Sequence, residues 1–289
     1  MTVPELPEVE TVRRTLAPAL GAEVAQIWTS GKTLHHGRPV EELELARAAM
    51  GARLEAIRRL GKYLLLDFAD REYALVIHLG MSGRLRLHAP KEPVDSHVHA
   101  RFRLRRDDGG TLELRFRDPR RFGLITSALR GREREHPALA RLGIDPLEAR
   151  PEELARVLWE KTRGRHAGLK AILLDQRIIA GIGNIYASEA LWQAKLDPEL
   201  PAYRLGRARA ARLAEAIVCV LARALQNGGT SLRDFVAADG ASGEHAHYLW
   251  VYARAGAACP RARCDGSIAR RVLQGRATFV CPRCQRRGR

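Results

Sequence analysis

The chain has 289 residues, 46% of them hydrophobic, enough for two or three modest domains with apolar cores. Lys and Arg outnumber Asp and Glu by 49 to 33, a formal charge of +16, so the partner to expect is a polyanion, nucleic acid ahead of an anionic membrane. No stretch approaches the roughly 18 apolar residues of a membrane helix, and Glu5, Glu8 and Glu10 stand where a secretory signal carries basic residues, so a cytoplasmic protein is expected.

After Pro4, residues 5–20 read as a helix, with Pro7 and the acids in its first turn and Gly21 past its end. From about Val24 to Thr126 the period becomes that of strands. Residues 63–68 and 73–79 are apolar runs of strand length. Residues 101–105 and 112–117 alternate charged with apolar side chains, and Asp107-Asp108-Gly109-Gly110 supplies the turn between them. An antiparallel layer follows, one face buried and the other basic. From about Pro137 helical spacing takes over, across 151–162, 166–180, 185–195 and 205–227. In the last segment Leu213, Ile217, Val220, Leu221 and Ala224 form one stripe, and Gly228-Gly229 ends it. Cys219 lies beside that stripe and reads as a small core residue.

The tail from His245 to Arg289 carries ten Arg and a single acid, Asp265, and is too short for a hydrophobic core of its own. Its cysteines are spaced Cys259-x4-Cys264, then sixteen residues, then Cys281-x2-Cys284. Two close thiolate pairs suit one tetrahedral Zn2+ that replaces the missing core. Four protein ligands leave no open position, so the expected role is structural. Six arginines around the cysteines (Arg261, Arg263, Arg270, Arg271, Arg276 and Arg283) make a basic ribbon suited to phosphates.

Pro4-Glu5-Leu6-Pro7-Glu8-Val9-Glu10-Thr11 resembles the start of the formamidopyrimidine-DNA glycosylases. In family order there follow Gly61-Lys62-Tyr63-Leu64-Leu65, His78-Leu79-Gly80-Met81-Ser82-Gly83, Asp118-Pro119-Arg120-Arg121-Phe122-Gly123, Ala180-Gly181-Ile182-Gly183-Asn184-Ile185-Tyr186-Ala187-Ser188-Glu189 and Gly275-Arg276-Ala277-Thr278-Phe279. The resemblance covers nearly the whole chain. It implies an α+β fold: an N-terminal antiparallel β-sandwich with a leading helix (1–130), a central helical domain with a helix–two-turn–helix (131–244) and a C-terminal zinc ribbon (245–289).

The resemblance also implies chemistry. Pro4, with a free secondary amine, is the expected nucleophile at the sugar C1′ of an extruded nucleotide. Glu5 is the expected acid/base that opens the sugar ring, and as a residue at a helix start it also suits the macrodipole. Lys62 is the second cation of the site. Arg276 assists the second elimination of a β,δ sequence or binds the adjacent phosphate. Met81, Arg120 and Phe122 resemble the wedge that fills the gap left by the extruded base. Asn184, in a tight glycine turn opening a helix, is a phosphate contact, with Arg121, Arg165, Lys170 and His97 as further DNA-binding candidates. Residues 239–243 occupy the place of the purine-capping loop, which with Pro-Glu-Leu-Pro favours 8-oxoguanine and ring-opened purines over oxidised pyrimidines. The expected partner is damaged double-stranded DNA, with no membrane and a monomeric protein that is nucleoid-associated when bound.

Two features depart from the family pattern. The first cysteine pair is spaced x4 rather than x2, so a reshaped knuckle with retained metal is expected. Met1-Thr2-Val3 precedes Pro4, and a proline within a peptide bond cannot form an iminium. The expectation is initiation at the codon read as Val3, followed by methionine removal. A blocked Pro4 leads instead to a lesion-binding protein without lyase activity. An endonuclease VIII-like pyrimidine glycosylase is the other alternative.

Overall fold

The computed structural model describes residues 3–34, 39–230 and 245–286. The chain divides into two compact units, residues 1–141 with 228–244, and residues 142–227 with 245–289.

The first unit opens with helix α1 (Leu6–Thr15). Glu5 is its N-cap in a reciprocal capping box with Glu8, Pro7 lies in its first turn, and Arg13 and Arg14 in its last. The expected continuation to residue 20 does not form. Pro18 would clash with a carbonyl one turn back, and Ala17–Ala19 tightens into a 3-10 turn instead. Then come β1 (Glu23–Thr29), α2 (Glu42–Ala49), β2 (Leu54–Leu60), β3 (Tyr63–Phe68), β4 (Tyr73–His78), β5 (Arg84–His88), β6 (Val98–Arg105), β7 (Thr111–Arg117) and β8 (Leu124–Leu129). They form two antiparallel four-stranded sheets, ordered β1-β6-β7-β5 and β2-β3-β4-β8. Leu64, Leu66, Leu75 and Ile77 of one sheet share a core with Leu85, Phe102, Leu114 and Phe116 of the other, as in a sandwich. α2 was not anticipated; it buries Leu45, Ala48 and Ala49 at helical spacing in that core.

The second unit holds α3 (Pro151–Thr162), α4 (Leu169–Leu174), α5 (Asn184–Gln193), α6 (Arg207–Gln226) and the hairpin of β9 (Ala269–Leu273) and β10 (Arg276–Val280). The expected helix over 166–180 is confined to α4. The Asp175 carboxylate accepts the Arg177 amide and the Asp175 carbonyl accepts that of Ile178, which turns the chain out of the helix before a bend at Ala180–Gly181 leads into α5. α3 and α5 pack against α6. Cys219 is exposed on α6, correcting its reading as a core residue. Its neighbours one turn either way, Glu215 and Ala222, are also exposed, so it sits on the solvent stripe. Among the described residues no helix is long and apolar enough to cross a membrane.

Candidate functional site

In the first unit Pro4 is buried and Glu5 is 2% exposed at the head of α1. The Glu5 amide donates to Glu8 Oε2 (2.9 Å), and Glu8 Oε1 accepts the Thr230 amide (2.7 Å). Glu8 therefore ties the helix start to the backbone at 229–230, where Gly229 has φ 81° and lies against the Glu8 side chain. Lys62 stands in the two-residue turn between β2 and β3, with Leu60 opposite Tyr63 and Gly61 supplying φ 58°. Arg59, its side chain 2% exposed, donates to the Gly61 carbonyl (3.1 Å) and to Glu10 Oε2 of α1 (3.2 Å). One guanidinium thus holds the Lys62 turn and the helix that begins at Pro4–Glu5. Burial raises the Glu10 carboxyl, but hydrogen bonds from Arg13 and Arg14 and the charges of Arg13 and Arg59 outweigh it and bring the pKa to about 2.

The loop after β4 carries Met81, and the loop between β7 and β8 carries Arg120, Arg121 and Phe122. Gly80 (φ 62°) lets the two backbones touch, since a Cβ there would collide with the Phe122 carbonyl group. Asp118, fully buried, then knots the loops: Oδ1 accepts from Ser82 Oγ and Oδ2 from the Gly123 amide, each at 2.7 Å. Its amide donates to the His97 carbonyl (2.9 Å), which brings His97 beside the knot. The Asp118 carbonyl lies 3.0 Å from His99 Nε2, and burial pushes the His99 pKa down. The Arg120 guanidinium stacks on the Phe122 ring, 4.8 Å from its centroid. Arg121 is exposed and left-handed, φ 57°. The exposed His97 ring pairs with Asp95 at 2.9 Å. A backbone hydrogen bond from His97 leads the contacts that hold Asp95 down to about 2.

In the second unit Lys170, Asn184 and Arg276 converge on the β9–β10 hairpin. Lys170 is 2% exposed, and its ammonium donates to Thr278 Oγ1 (2.7 Å) and the Ala277 carbonyl (3.1 Å). Asn184 Nδ2 donates to the same carbonyl (2.9 Å) and to Tyr252 Oη (3.3 Å). Arg276 is exposed just after a two-residue turn in which Gln274 and Gly275 both have positive φ. Glu189, 1% exposed, accepts the amides of Trp250, Val251 and Tyr252, and burial pushes its pKa up. Arg165 is exposed beyond α3.

The Sγ atoms of Cys259, Cys264, Cys281 and Cys284 all lie within 4.8 Å of one another. Three of the separations are 3.7, 3.7 and 3.1 Å. Tetrahedral thiolates about 2.3 Å from an ion sit about 3.8 Å apart, so the donor set fits a single metal ion. A Cβ at Gly266 would fall 2.9 Å from Cys281 Sγ, and the chain uses glycine where the cradle closes. The longer first knuckle is accommodated by Arg263 in the left-handed region, φ 61°. The Cys284 thiol hydrogen bond leads in bringing Cys264 down to about 7, whereas burial pushes Cys284 up to about 12.

Sequence reasoning missed Asp118 as the knot, and also Arg59, Glu8 and Glu189. The signal available was an acid or a guanidinium inside otherwise apolar or glycine-rich motifs. Residues 239–243, expected to form the purine-capping loop, lie outside the described residues.

Residues 3–125 match the family model described as the formamidopyrimidine-DNA glycosylase N-terminal domain, and residues 142–236 match that of the formamidopyrimidine-DNA glycosylase H2TH domain. The chain is 41% identical over 305 residues to a formamidopyrimidine-DNA glycosylase of Chelativorans sp. (strain BNC1), covering 98% of this chain and all of the relative. Identity to the protein of that name from Cupriavidus pinatubonensis is 42% over 295 residues, with the same coverage. The crystal structure of the MutM (Fpg) protein from Thermus thermophilus superposes with a TM-score of 0.81 at 39% identity, covering 99% of this chain and 100% of that one. The Lactococcus lactis Fpg in complex with abasic-site DNA gives 0.83 at 31% identity, covering 98% and 99%.

Proposed function

The chain belongs to the formamidopyrimidine-DNA glycosylase family, and from that premise we propose that it is a bifunctional enzyme of base excision repair. It removes 8-oxoguanine and formamidopyrimidines from duplex DNA and then cuts the strand by β,δ-elimination. The observation that carries this reading is the joint anchoring through Arg59 of the helix that begins at Pro4–Glu5 and of the Lys62 turn. A nucleophile, an acid and a second cation share one buried frame.

The Pro4 nitrogen attacks C1′ and displaces the base, and Glu5 protonates the ring oxygen as the sugar opens. The resulting iminium withdraws electrons, a C2′ proton is lost and the 3′ phosphate leaves. Lys62 assists the proton transfers, and Arg276 serves the second elimination or the neighbouring phosphate. Met81, Arg120 and Phe122 fill the gap in the stack. Arg121, Arg165 and His97 contact phosphates. Lys170 and Asn184 act through the hairpin, holding the carbonyl next to Arg276.

Three functional domains carry these roles, at 1–130, 131–244 and 245–289, in a monomer that works in the cytoplasm on the nucleoid. The four cysteines hold one structural Zn2+, which fixes the hairpin and leaves no open position for substrate. The chemistry needs Pro4 as the mature N-terminus, and the match to the family's N-terminal domain begins at residue 3, the position read as the initiator.

Borohydride trapping tests the proposal, with protein made from its own gene and a duplex carrying 8-oxoguanine opposite cytosine. A covalent complex mapping to Pro4 is the expected outcome. Binding without any trapped complex, with a mature chain that starts at Thr2, overturns the catalytic reading in favour of a lesion-binding protein.

A further inference from the structure

The core side of the β1-β6-β7-β5 sheet is apolar, and its other side carries a lattice of arginines that the functional reading does not use. Strand register sets Trp28, Arg101, Arg115 and Arg86 in one row across all four strands. The next row is Gln26, Arg103, Glu113 and His88, and on the other side Arg117 stands opposite Arg84. Directly opposed side chains lie about 4.5–5.5 Å apart at Cβ, and like charges so placed destabilise a sheet. One carboxylate, Glu113, serves three of these cations: Arg115 at 2.5 Å, and Arg101 and Arg103 each at 3.9 Å. Arg115 is spent, since its remaining donors go to the Pro93 and Glu92 carbonyls. Arg86 and Arg101 are not. Among the described residues the Nε of each is buried without a hydrogen-bond partner. Arg101 is held in place by stacking over Trp28, 4.6 Å from the ring centroid, and Trp28 is 38% exposed.

We propose that this sheet face, through Arg86, Arg101, Arg103 and Trp28, is a second contact surface for the phosphate backbone of DNA. Three features select that ligand. Planar guanidinium forks match phosphate oxygens, and the Arg101 and Arg103 side chains are 28% and 46% exposed. The hollow among Gln26, Trp28, Arg101, Arg103 and Glu113 is about 20 Å³, room for a water and not for a small molecule, so the occupant lies across the rows. The rows are also continuous with the wedge in the chain: Arg84 follows Met81 by three residues, and Arg117 precedes Arg120 by three. Successive rows step away from that end by about 7 Å, extending the footprint along a flanking duplex arm.

The inference rests on the reading of this chain as a DNA enzyme, and the experiment separates the two. The affinity of the full chain for a 24-base-pair duplex with an abasic-site analogue is measured against salt. The wild type is compared with R86Q/R101Q/R103Q and with R86K/R101K/R103K. Loss of three phosphate contacts flattens the slope of log K against log salt by about 2–3 in the Gln variant, while the Lys variant keeps most of it. Thermal unfolding of both variants confirms that they are folded. A wild type that does not bind the duplex overturns the functional reading. A wild type that binds, with the same slope and affinity in the Gln variant, overturns this inference alone. Loss of binding to anionic vesicles with an unchanged DNA slope overturns it too, in favour of a membrane surface.

Discussion

The loops of the first unit proposed as the wedge and the hairpin of the second are both short elements that must hold a few side chains still, and they do so by opposite means. The wedge rests on a large shared core. Its local order comes from one buried carboxylate, Asp118, and from glycines that let backbones touch. The hairpin has only a small satellite cluster of Trp192, Val251, Ile268 and Phe279 around two cysteines. It depends on four thiolates and on polar anchors reaching in from the helices, the buried Lys170 and Glu189 and the half-buried Asn184. A strand pair with little apolar area needs such staples, whereas a loop on a sandwich needs only its hydrogen bonds completed.

Metal removal should separate the two regions most widely. Structural zinc contributes about 10–16 kcal/mol to the folding of small zinc modules. A strong chelator, or Cys281→Ser, is therefore expected to abolish amide-exchange protection in β9 and β10 and to remove DNA binding, with β3 and β4 still protected. Loss of protection in both regions would mean that they fold as one.

Asp118→Ala is the matching break in the wedge. It leaves the Gly123 amide and the Ser82 hydroxyl without their acceptor, at about 1–3 kcal/mol for each buried group. The denaturation midpoint of the first unit should fall accordingly, with hairpin exchange unchanged. Lys170→Met comes next. Loss of a charged hydrogen-bond donor costs about 1.5–3 kcal/mol and should raise exchange in β10 without moving the sandwich transition.

Arg59→Gln probes the frame beneath Pro4 and Lys62. The Glu10 carboxyl is depressed from 4.5 to about 2, so its contribution to stability is full above 4.5 and is lost as pH falls through about 2. Without the Arg59 charge that loss should set in at higher pH, seen as an earlier acid transition in a pH titration of unfolding. Cys219→Ser should have the smallest effect, within about 0.5 kcal/mol, because the thiol is on the solvent face of α6. A larger change in melting would return it to the core.

Much of this contrast was readable in the chain. Two cysteine pairs announced the four-thiolate cluster, and the glycines of the His78–Gly83 and Asp118–Gly123 motifs marked the two loops that touch. What stayed hidden was long-range or polar. Asp118 meets Ser82 across 36 positions, and nothing local distinguishes it from a turn-forming aspartate. Glu113 and Arg115 fall on the alternating face expected to be solvated, yet each is 3% exposed, because Arg115 is capped by the carbonyls of Glu92 and Pro93. Lys170 is a DNA-binding candidate by resemblance, and only the fold shows its ammonium buried against β10. The early end of α4 turned on the hydrogen bonds of Asp175, which periodicity does not weigh.

The backbone contact at Gly80 has a kinetic meaning. With no side chain between the two loops, the backbone next to Met81 lies directly against that of Phe122. If Met81, Arg120 and Phe122 fill the stack as proposed, that contact predicts that the three enter a base step together, with a single barrier. A fluorescent base analogue beside the probed position should report one relaxation phase, and a bulkier residue at position 80 should split it in two.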